Sequence, residues 1–360
     1  MKKDWTYKKL GEVCDIINGK NQRAVENPDG TYPIMGSGGI MGYADDYLCK
    51  EGTTIIGRKG TINRPIYVET KFWNVDTAFG LQPKEETNSR FLFYLCKSIN
   101  FDRFNKSVTI PSLVKSDLLK IDIRFPETKD EQQQIVAELD LLGDVIEKQK
   151  AQIEELDKLS QSIFYDMFGD PVTNEKGWNV NKLGSVVSFL QGEQVPVDKQ
   201  FKEKKEGYIR FLRIIDFTQG YDPPRYVKHD DDIHVLHEGE IAIVRYGTPG
   251  FVCYNKYGVI ANNLFKIIPV SSDLFTFEYL VAWLNSHAFQ NVVNENHYGA
   301  ALQAIKFGTI KNIPIIIPPL SLQQEFAAKI EAIESMKAKV RQSLIESETL
   351  FNSRMDYYFN

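Results

Sequence analysis

The sequence predicts a mixed α/β protein of the α+β class. It has two strand-rich globular domains, each followed by a long helix. The halves are related by an internal pseudo-twofold repeat, and the helices form an antiparallel coiled coil. Three observations predict this. WTYKKLGEVCDIINGK at 5–20 returns as WNVNKLGSVVSFLQGE at 178–193, with six of sixteen positions identical and no gap, where ordinary residue frequencies give about one. The same order of further motifs follows in both halves. Finally, two 39-residue runs, 130–168 and 321–359, carry apolar residues at the 3.5-residue spacing of a coiled coil.

Taken in order, residues 1–128 form the first globular domain, 129–170 a central helix, 171–319 a second globular domain and 320–360 a distal helix. The globular parts alternate short apolar strands with turns such as NPDG (27–30), GSGG (36–39) and GTPG (247–250), and a helix is predicted near 88–104 and 276–295. EGTTIIGRKGTI (51–62) aligns with EGEIAIVRYGTP (238–249), FLFYLCKSINF (91–101) with YLVAWLNSHAF (279–289), LLKIDIRFP (118–126) with IKNIPIIIP (310–318), and LSQSIFYDMF (159–168) with LFNSRMDYYF (350–359). The order is that of a tandem duplication. The central seam runs Ile135, Leu139, Leu142, Ile146, Gln149, Ile153, Leu156, Ser160, Ile163, Met167. The distal one runs Phe326, Ile330, Ile333, Lys337, Val340, Leu344, Ser347, Phe351. Pro126 and Pro318–Pro319 sit just before the two helices, and neither run holds a proline. Each seam needs a partner. The expectation is that the helices pack on each other, the alternative being that each packs on its own domain. The polar seam residues Gln149, Ser160, Lys337 and Ser347 set register or meet a partner protein.

Composition narrows the class. With 42% hydrophobic and 25% charged residues, the 360-residue chain has the make-up of a soluble globular protein of two or three domains. MKKDWTYKKLGEV lacks the apolar region of a signal peptide, and the most apolar stretch, IPIIIPP at 313–319, is too short for a membrane. Four scattered cysteines without a CxxC pair argue against zinc and for reduced thiols in a cytoplasm. The net charge of −5 is uneven: residues 128–171 carry 4 basic and 11 acidic side chains, whereas 1–127 carry 19 and 16, and 172–318 carry 15 of each. The globular parts therefore have room for local basic surfaces.

These features together resemble the specificity subunit of type I restriction–modification enzymes, over essentially the whole chain. The residues that carry the resemblance are the WxxxKLGEV and WxxxKLGSV openings, Arg58-Lys59-Gly60-Thr61 and Arg245-Tyr246-Gly247-Thr248, and the domain exits FPETKDEQQQI (125–135) and IPPLSLQQEFAAKI (317–330). The exits look like the family's P-x-L-x-x-Q-Q lead-in to a conserved helix. The first copy departs from it at Pro126-Glu127-Thr128, and Glu131, Gln132 and Ile135 follow in place. The resemblance implies that each globular part is a target recognition domain reading one half of a split double-stranded DNA site. It implies that the helix pair fixes the unread spacer and docks two methylation (M) subunits, which a restriction (R) subunit can join. The S-adenosylmethionine and ATP/Mg sites are then expected on those partners, with no cofactor on this chain and no membrane.

The foremost DNA-contact candidates are the R-x-G-T turns: Arg58, Lys59 and Thr61, and Arg245, Tyr246 and Thr248. Each arginine follows an apolar strand and precedes a glycine, and at such a tip it can fork onto guanine or hold a phosphate. The alternative is an arginine paired to a carboxylate of its own domain. Next are Lys20, Asn21 and Arg23, with Gln194 in the second copy, then Asn74 and the Asn262–Asn263 pair in corresponding loops. Last are Lys106, Ser107 and Thr109, with His297, Tyr298, Gln303 and Lys306.

Other motifs fall away. Gly52 to Lys59 has P-loop glycine spacing but arginine in place of the lysine. Asp222-Pro223-Pro224-Arg225 lacks the aromatic of an amino-methyltransferase. His229, His234 and His237 among Asp230–Asp232 have no recognised ligand spacing, so no metal is expected. Asp198, Glu203 and Lys205 are a triplet of a kind that chance supplies often. The reading is a non-catalytic DNA-recognition subunit, with a self-contained methylase or nuclease and a coiled-coil protein-binding adaptor as its alternatives.

Overall fold

The computed structural model describes residues 5–218, 223–230, 232–295 and 304–359. The chain divides into two compact units, Met1–Ala151 with Arg341–Asn360, and Gln152–Val340.

In the first unit β1 (Thr6–Lys9) passes through one helical turn, α1 (Leu10–Val13), into β2 (Cys14–Asn18). A hairpin of β3 (Tyr32–Gly36) and β4 (Gly39–Ala44) follows, then β5 (Thr53–Gly57), β6 (Ile66–Val68), β7 (Trp73–Asn74) and β8 (Ala78–Pro83). Helices α2 (Ser89–Ser98) and α3 (Lys115–Leu118), β9 (Asp122–Phe125) and the long α4 (Lys129–Phe168) complete the order. The strands form an antiparallel sheet β2-β8-β5-β6, a sheet β4-β3-β7 with β3 parallel to β7, and an antiparallel β1-β9 pair. β5 is buried along its whole length, its two threonines included, which is why TTIIG shows no alternation of apolar and polar residues. The helix predicted over 88–104 is shorter: α2 ends at Ser98, and Phe101–Phe104 form a separate 3-10 turn.

The second unit repeats the plan. It begins with β10 (Asn179–Lys182), α5 (Leu183–Val186) and β11 (Val187–Gln191), then β12 (Tyr208–Leu212), α6 (Ile214–Thr218), β13 (Arg225–Lys228) and β14 (Val235–Leu236). β15 (Ile241–Val244), β16 (Val252–Cys253), β17 (Gly258–Ile260) and β18 (Leu264–Pro269) follow. Last come α7 (Phe277–Asn285), α8 (His287–Glu295), α9 (Phe307–Lys311), β19 (Pro314–Ile317) and the long α10 (Leu320–Phe359). Sheet β11-β18-β15-β16 and the pair β10-β19 match those of the first unit, and sheet β13-β12-β17-β14 matches β4-β3-β7 with β14 added at its edge. The helix predicted over 276–295 is two, divided at Ser286, whose hydroxyl and amide both donate to the Trp283 carbonyl.

The repeated opening motif has a packing reason. Leu10 and Leu183 donate their amides to Ile121 and Ile313, at 2.8 Å each. A side chain at Gly19 would place its Cβ 1.8 Å from the Val75 carbonyl oxygen, and one at Gly192 2.3 Å from that of Ala261. Only glycine lets two backbones approach so closely. The Q-Q motif has one as well. Buried Gln132 accepts the Asn88 amide (2.7 Å) and donates to the Glu86 carbonyl (3.1 Å). Buried Gln323 accepts the Thr276 amide (3.0 Å) and donates to the Leu274 carbonyl (3.1 Å). Each glutamine ties the start of a long helix to the N-cap of α2 or α7, whose Asn88 and Thr276 side chains cap in the usual way.

Both alternatives for the long helices hold at once. In the first unit Ile135, Val136 and Leu139 of α4 and Met355 and Phe359 of α10 belong to one core. Arg354 pairs with Glu138, and Gln149 donates to Ser343 at 2.8 Å, so the segments run antiparallel. In the second unit Phe164 and Phe168 of α4 and Phe326 of α10 share a core, and Lys337 reaches Asp157 at 2.5 Å, again antiparallel. Of the polar seam residues, Gln149 and Lys337 bond across the pair. Ser160 and Ser347 bond back to the carbonyls of Leu156 and Ser343 in their own helices and fix no register.

Candidate nucleic-acid interface

In the first unit β5 delivers Arg58 at its exit. The Arg58 amide donates to the Thr77 carbonyl (2.8 Å), its carbonyl accepts the Leu113 amide (2.9 Å), and the Gly60 amide donates to the Pro111 carbonyl (2.9 Å). The turn is thus clamped between the 75–78 loop and the 111–113 segment. Gly60 takes φ +79 there, the left-handed region that glycine supplies without strain. Arg58, Lys59 and Thr61 are exposed. Arg58 contacts the Asp76 carbonyl (3.4 Å) and lies 5.7 Å from the Phe79 ring.

The second unit rebuilds this turn. The Arg245 amide donates to the Asn263 carbonyl (2.8 Å) and its carbonyl accepts the Ile305 amide (2.9 Å), with Gly247 at φ +100. The Arg245 side chain is half-buried: Nη1 donates to Gln191 Oε1 (3.1 Å), Nε to the Ile305 carbonyl (3.4 Å), and the guanidinium lies 5.3 Å from the Phe307 ring. Tyr246 donates to Asn262 Oδ1 (3.3 Å), and Thr248 is exposed. Among the described residues neither arginine has a carboxylate partner within 4.0 Å, so the internal ion pair allowed by the sequence is absent from both turns. Each cation is held by neutral acceptors and keeps its charge uncompensated locally, which favours a phosphate or a guanine edge.

The other candidates gather unequally. Lys20 adjoins the same loop, its amide donating to the Asn74 carbonyl (2.9 Å). Lys20, Asn21 and Arg23 are exposed, though Asn21 Oδ1 already accepts the Arg23 amide (2.9 Å). Lys106 donates its amide to Ser112, which bridges to Lys59, so this group joins the Arg58 tip. The Lys106 side chain pairs with Asp117 (3.2 Å), Ser107 is half-buried, and Thr109 is exposed. Gln194 and Lys306 are exposed in the second unit. His297, Tyr298 and Gln303 lie outside the described residues, as does Asp222.

Asn74 is a correction. It is 0% exposed and donates to the Ala78 carbonyl (3.2 Å) across its own turn, so it supports the loop rather than facing a ligand. Matching hydrogen bonds put Ile260 in its place, while Asn262 and Asn263 correspond to Asp76 and Thr77. Those two exposed residues were missed, although counting back from the strand starts Ala78 and Leu264 gives them directly. Gln191, which holds Arg245, was also missed.

Burial pushes the thiols of Cys14, Cys49 and Cys253 up to about 12 and that of Cys96 well above the usual value, so none offers a thiolate near neutral pH. The histidine group differs from expectation. The His229 side chain is 7% exposed and stands with His234 and Glu193 rather than in a solvated acidic loop.

A family model described as the type I restriction modification DNA specificity domain matches residues 2–158 and again 175–346. The chain is 25% identical, over 389 aligned residues, to the type I restriction enzyme MjaIX specificity subunit of Methanocaldococcus jannaschii, covering 92% of this chain and 87% of that one. It is 22% identical over 236 residues to the type I restriction enzyme EcoDI specificity subunit of Escherichia coli, covering 61% and 51%. In fold it is similar to the S subunit of a type I restriction-modification system from M. genitalium, with a TM-score of 0.60 at 16% identity over 99% of this chain and 96% of that one. It is also similar to a chain from a structure describing complex assembly and conformational transition of a type I R-M system, with a TM-score of 0.55 at 17% identity over 98% and 97%.

Proposed function

The chain belongs to the type I restriction modification DNA specificity family, and from that premise we propose that it is a non-catalytic subunit whose two globular domains each read one half of a bipartite double-stranded DNA site. The two long helices set the number of unread base pairs and dock two methylation subunits, which restriction subunits can join. S-adenosylmethionine, ATP and Mg are used by those partners, in the cytoplasm. The carrying observation is the arginine turn built twice on the same backbone hydrogen bonds, with different side chains around it: Asp76, Thr77 and Lys59 in one copy, Asn262, Asn263 and Tyr246 in the other. A shared frame with unlike surroundings suits two unlike half-sites.

The test is a methylation map of the source genome with and without the gene, by single-molecule sequencing. A split motif that vanishes on deletion supports the reading, and repeating the map with Arg245→Ala should relax one half alone. Retention of DNA binding with methyl transfer by the purified chain would favour the enzyme reading instead. Absence of any salt-dependent DNA affinity would favour the adaptor.

A further inference from the structure

Three side chains gather beside the sheet β13-β12-β17-β14 of the second unit and take no part in the arginine turn. Glu193 leaves β11 and bridges to Ala261, His229 follows β13, and His234 precedes β14, its carbonyl accepting the Ile260 amide at 3.0 Å. One ligand atom from each lies within 4.8 Å of the other two. Glu193 Oε2 is 3.2 Å from His229 Nδ1, and the two imidazoles stand 6.4 Å apart at 70°.

The geometry points to a site for one divalent transition ion of the zinc class, bound by Glu193, His229 and His234. Two imidazole nitrogens and one carboxylate oxygen are a donor set such ions take, whereas calcium and magnesium favour oxygen alone. Bonds of about 2.1 Å in a tetrahedron put ligand atoms roughly 3.4 Å apart, so closing the site takes side-chain movements on the order of 1 Å. The fourth position is left to water. His237, which the sequence groups with the other two histidines, is committed elsewhere: Nε2 lies 3.1 Å from Asp232 and Nδ1 3.3 Å from Glu240.

The site ties the exit of β11 to the loop between β13 and β14. It also changes the sign of one position. Glu193 donates its amide to Ile260 just as Lys20 donates to Asn74 in the first unit, so a carboxylate stands where the other copy has an ammonium. A bound dication would restore positive potential there. That last consequence rests on the DNA-reading function, but the binding site does not.

The test uses the untagged full-length chain, loaded with Co²⁺ or Zn²⁺, dialysed, and assayed for metal content and visible spectrum without DNA. Expected is one equivalent per chain with cobalt ligand-field bands. These should be lost in the His229→Ala, His234→Ala double variant, at least tenfold weaker in Glu193→Gln and unchanged in His237→Ala. A wild-type chain that retains no stoichiometric metal overturns the proposal, as does binding of equal strength in Glu193→Gln and wild type. Because the wild-type stoichiometry and the Glu193→Gln and His237→Ala comparison stand by themselves, misfolding of the double variant would not mask the answer. A failed methylation map with intact metal binding would discredit the DNA reading alone.

Discussion

Single residues divide into those that hold the tips and those that face outward. Gln132→Ala should cost about 1–3 kcal/mol, because it removes two part-buried hydrogen bonds, to the Asn88 amide and the Glu86 carbonyl, and chemical denaturation of the variant measures it. Asn74→Ala should destabilise by about 1–2 kcal/mol while leaving both half-sites unchanged in a methylation map, since the side chain is buried. A lost half-site would restore Asn74 to the reading surface. The sequence showed the arginine turns well, because Arg, Gly and Thr recur at fixed spacing. It did not separate Asn74 from Asn262 and Asn263. Asparagine is a turn residue and a base reader alike, and only the hydrogen-bond register of β7 against β3 tells which face a loop position takes.

Among the elements, the long helices were the most legible part of the sequence, because apolar residues sustained at a 3.5-residue spacing arise in little besides paired helices. What the period did not show is that the helix ends are also core residues. Yet LSQSIFYDMF and LFNSRMDYYF align so that Phe164 and Phe168 fall opposite Met355 and Phe359, all four buried. Phe359→Ala should therefore cost the first unit about 3–5 kcal/mol, seen as an earlier unfolding step of that unit with the second unaffected. The Glu138–Arg354 pair adds a pH dependence. The Arg354 hydrogen bonds, with a contribution from Tyr358, outweigh burial and hold the Glu138 carboxyl below the usual carboxylate range. A depressed carboxylate stabilises fully above its unfolded value of about 4.3 and loses that contribution as pH falls through its folded value. Acid titration followed by circular dichroism should show a transition in this region that Glu138→Gln shifts or removes. An identical titration would mean the pair carries no weight. The split of the predicted 276–295 helix at Ser286 was not legible, since its capping bonds leave no periodic trace.

For the whole molecule, the duplication was legible because framework positions answer to packing, and packing is the same in both copies. Gly19 and Gly192 survive since each sits under a carbonyl of the neighbouring loop, whereas Lys20 and Glu193 have diverged at the adjoining position. Inserting four residues in 135–165, about 6 Å of helix, should alter the unread spacer in the methylation map and leave both half-site sequences intact. Altered half-sites would count against helices that act as a spacer.

The placement of Met355 and Phe359 in the core of the first unit also orders events during synthesis. A ribosome makes residues 5–125 early, yet the surface those residues must cover waits for side chains translated long after them. The first unit is therefore completed after the second. Until then its apolar face around Phe91 and Phe125 stays open to chaperones or to a neighbouring nascent chain. Protease sensitivity of stalled nascent chains should drop for this half only once residue 359 has cleared the tunnel, while the second unit, contained within 152–340, closes before it.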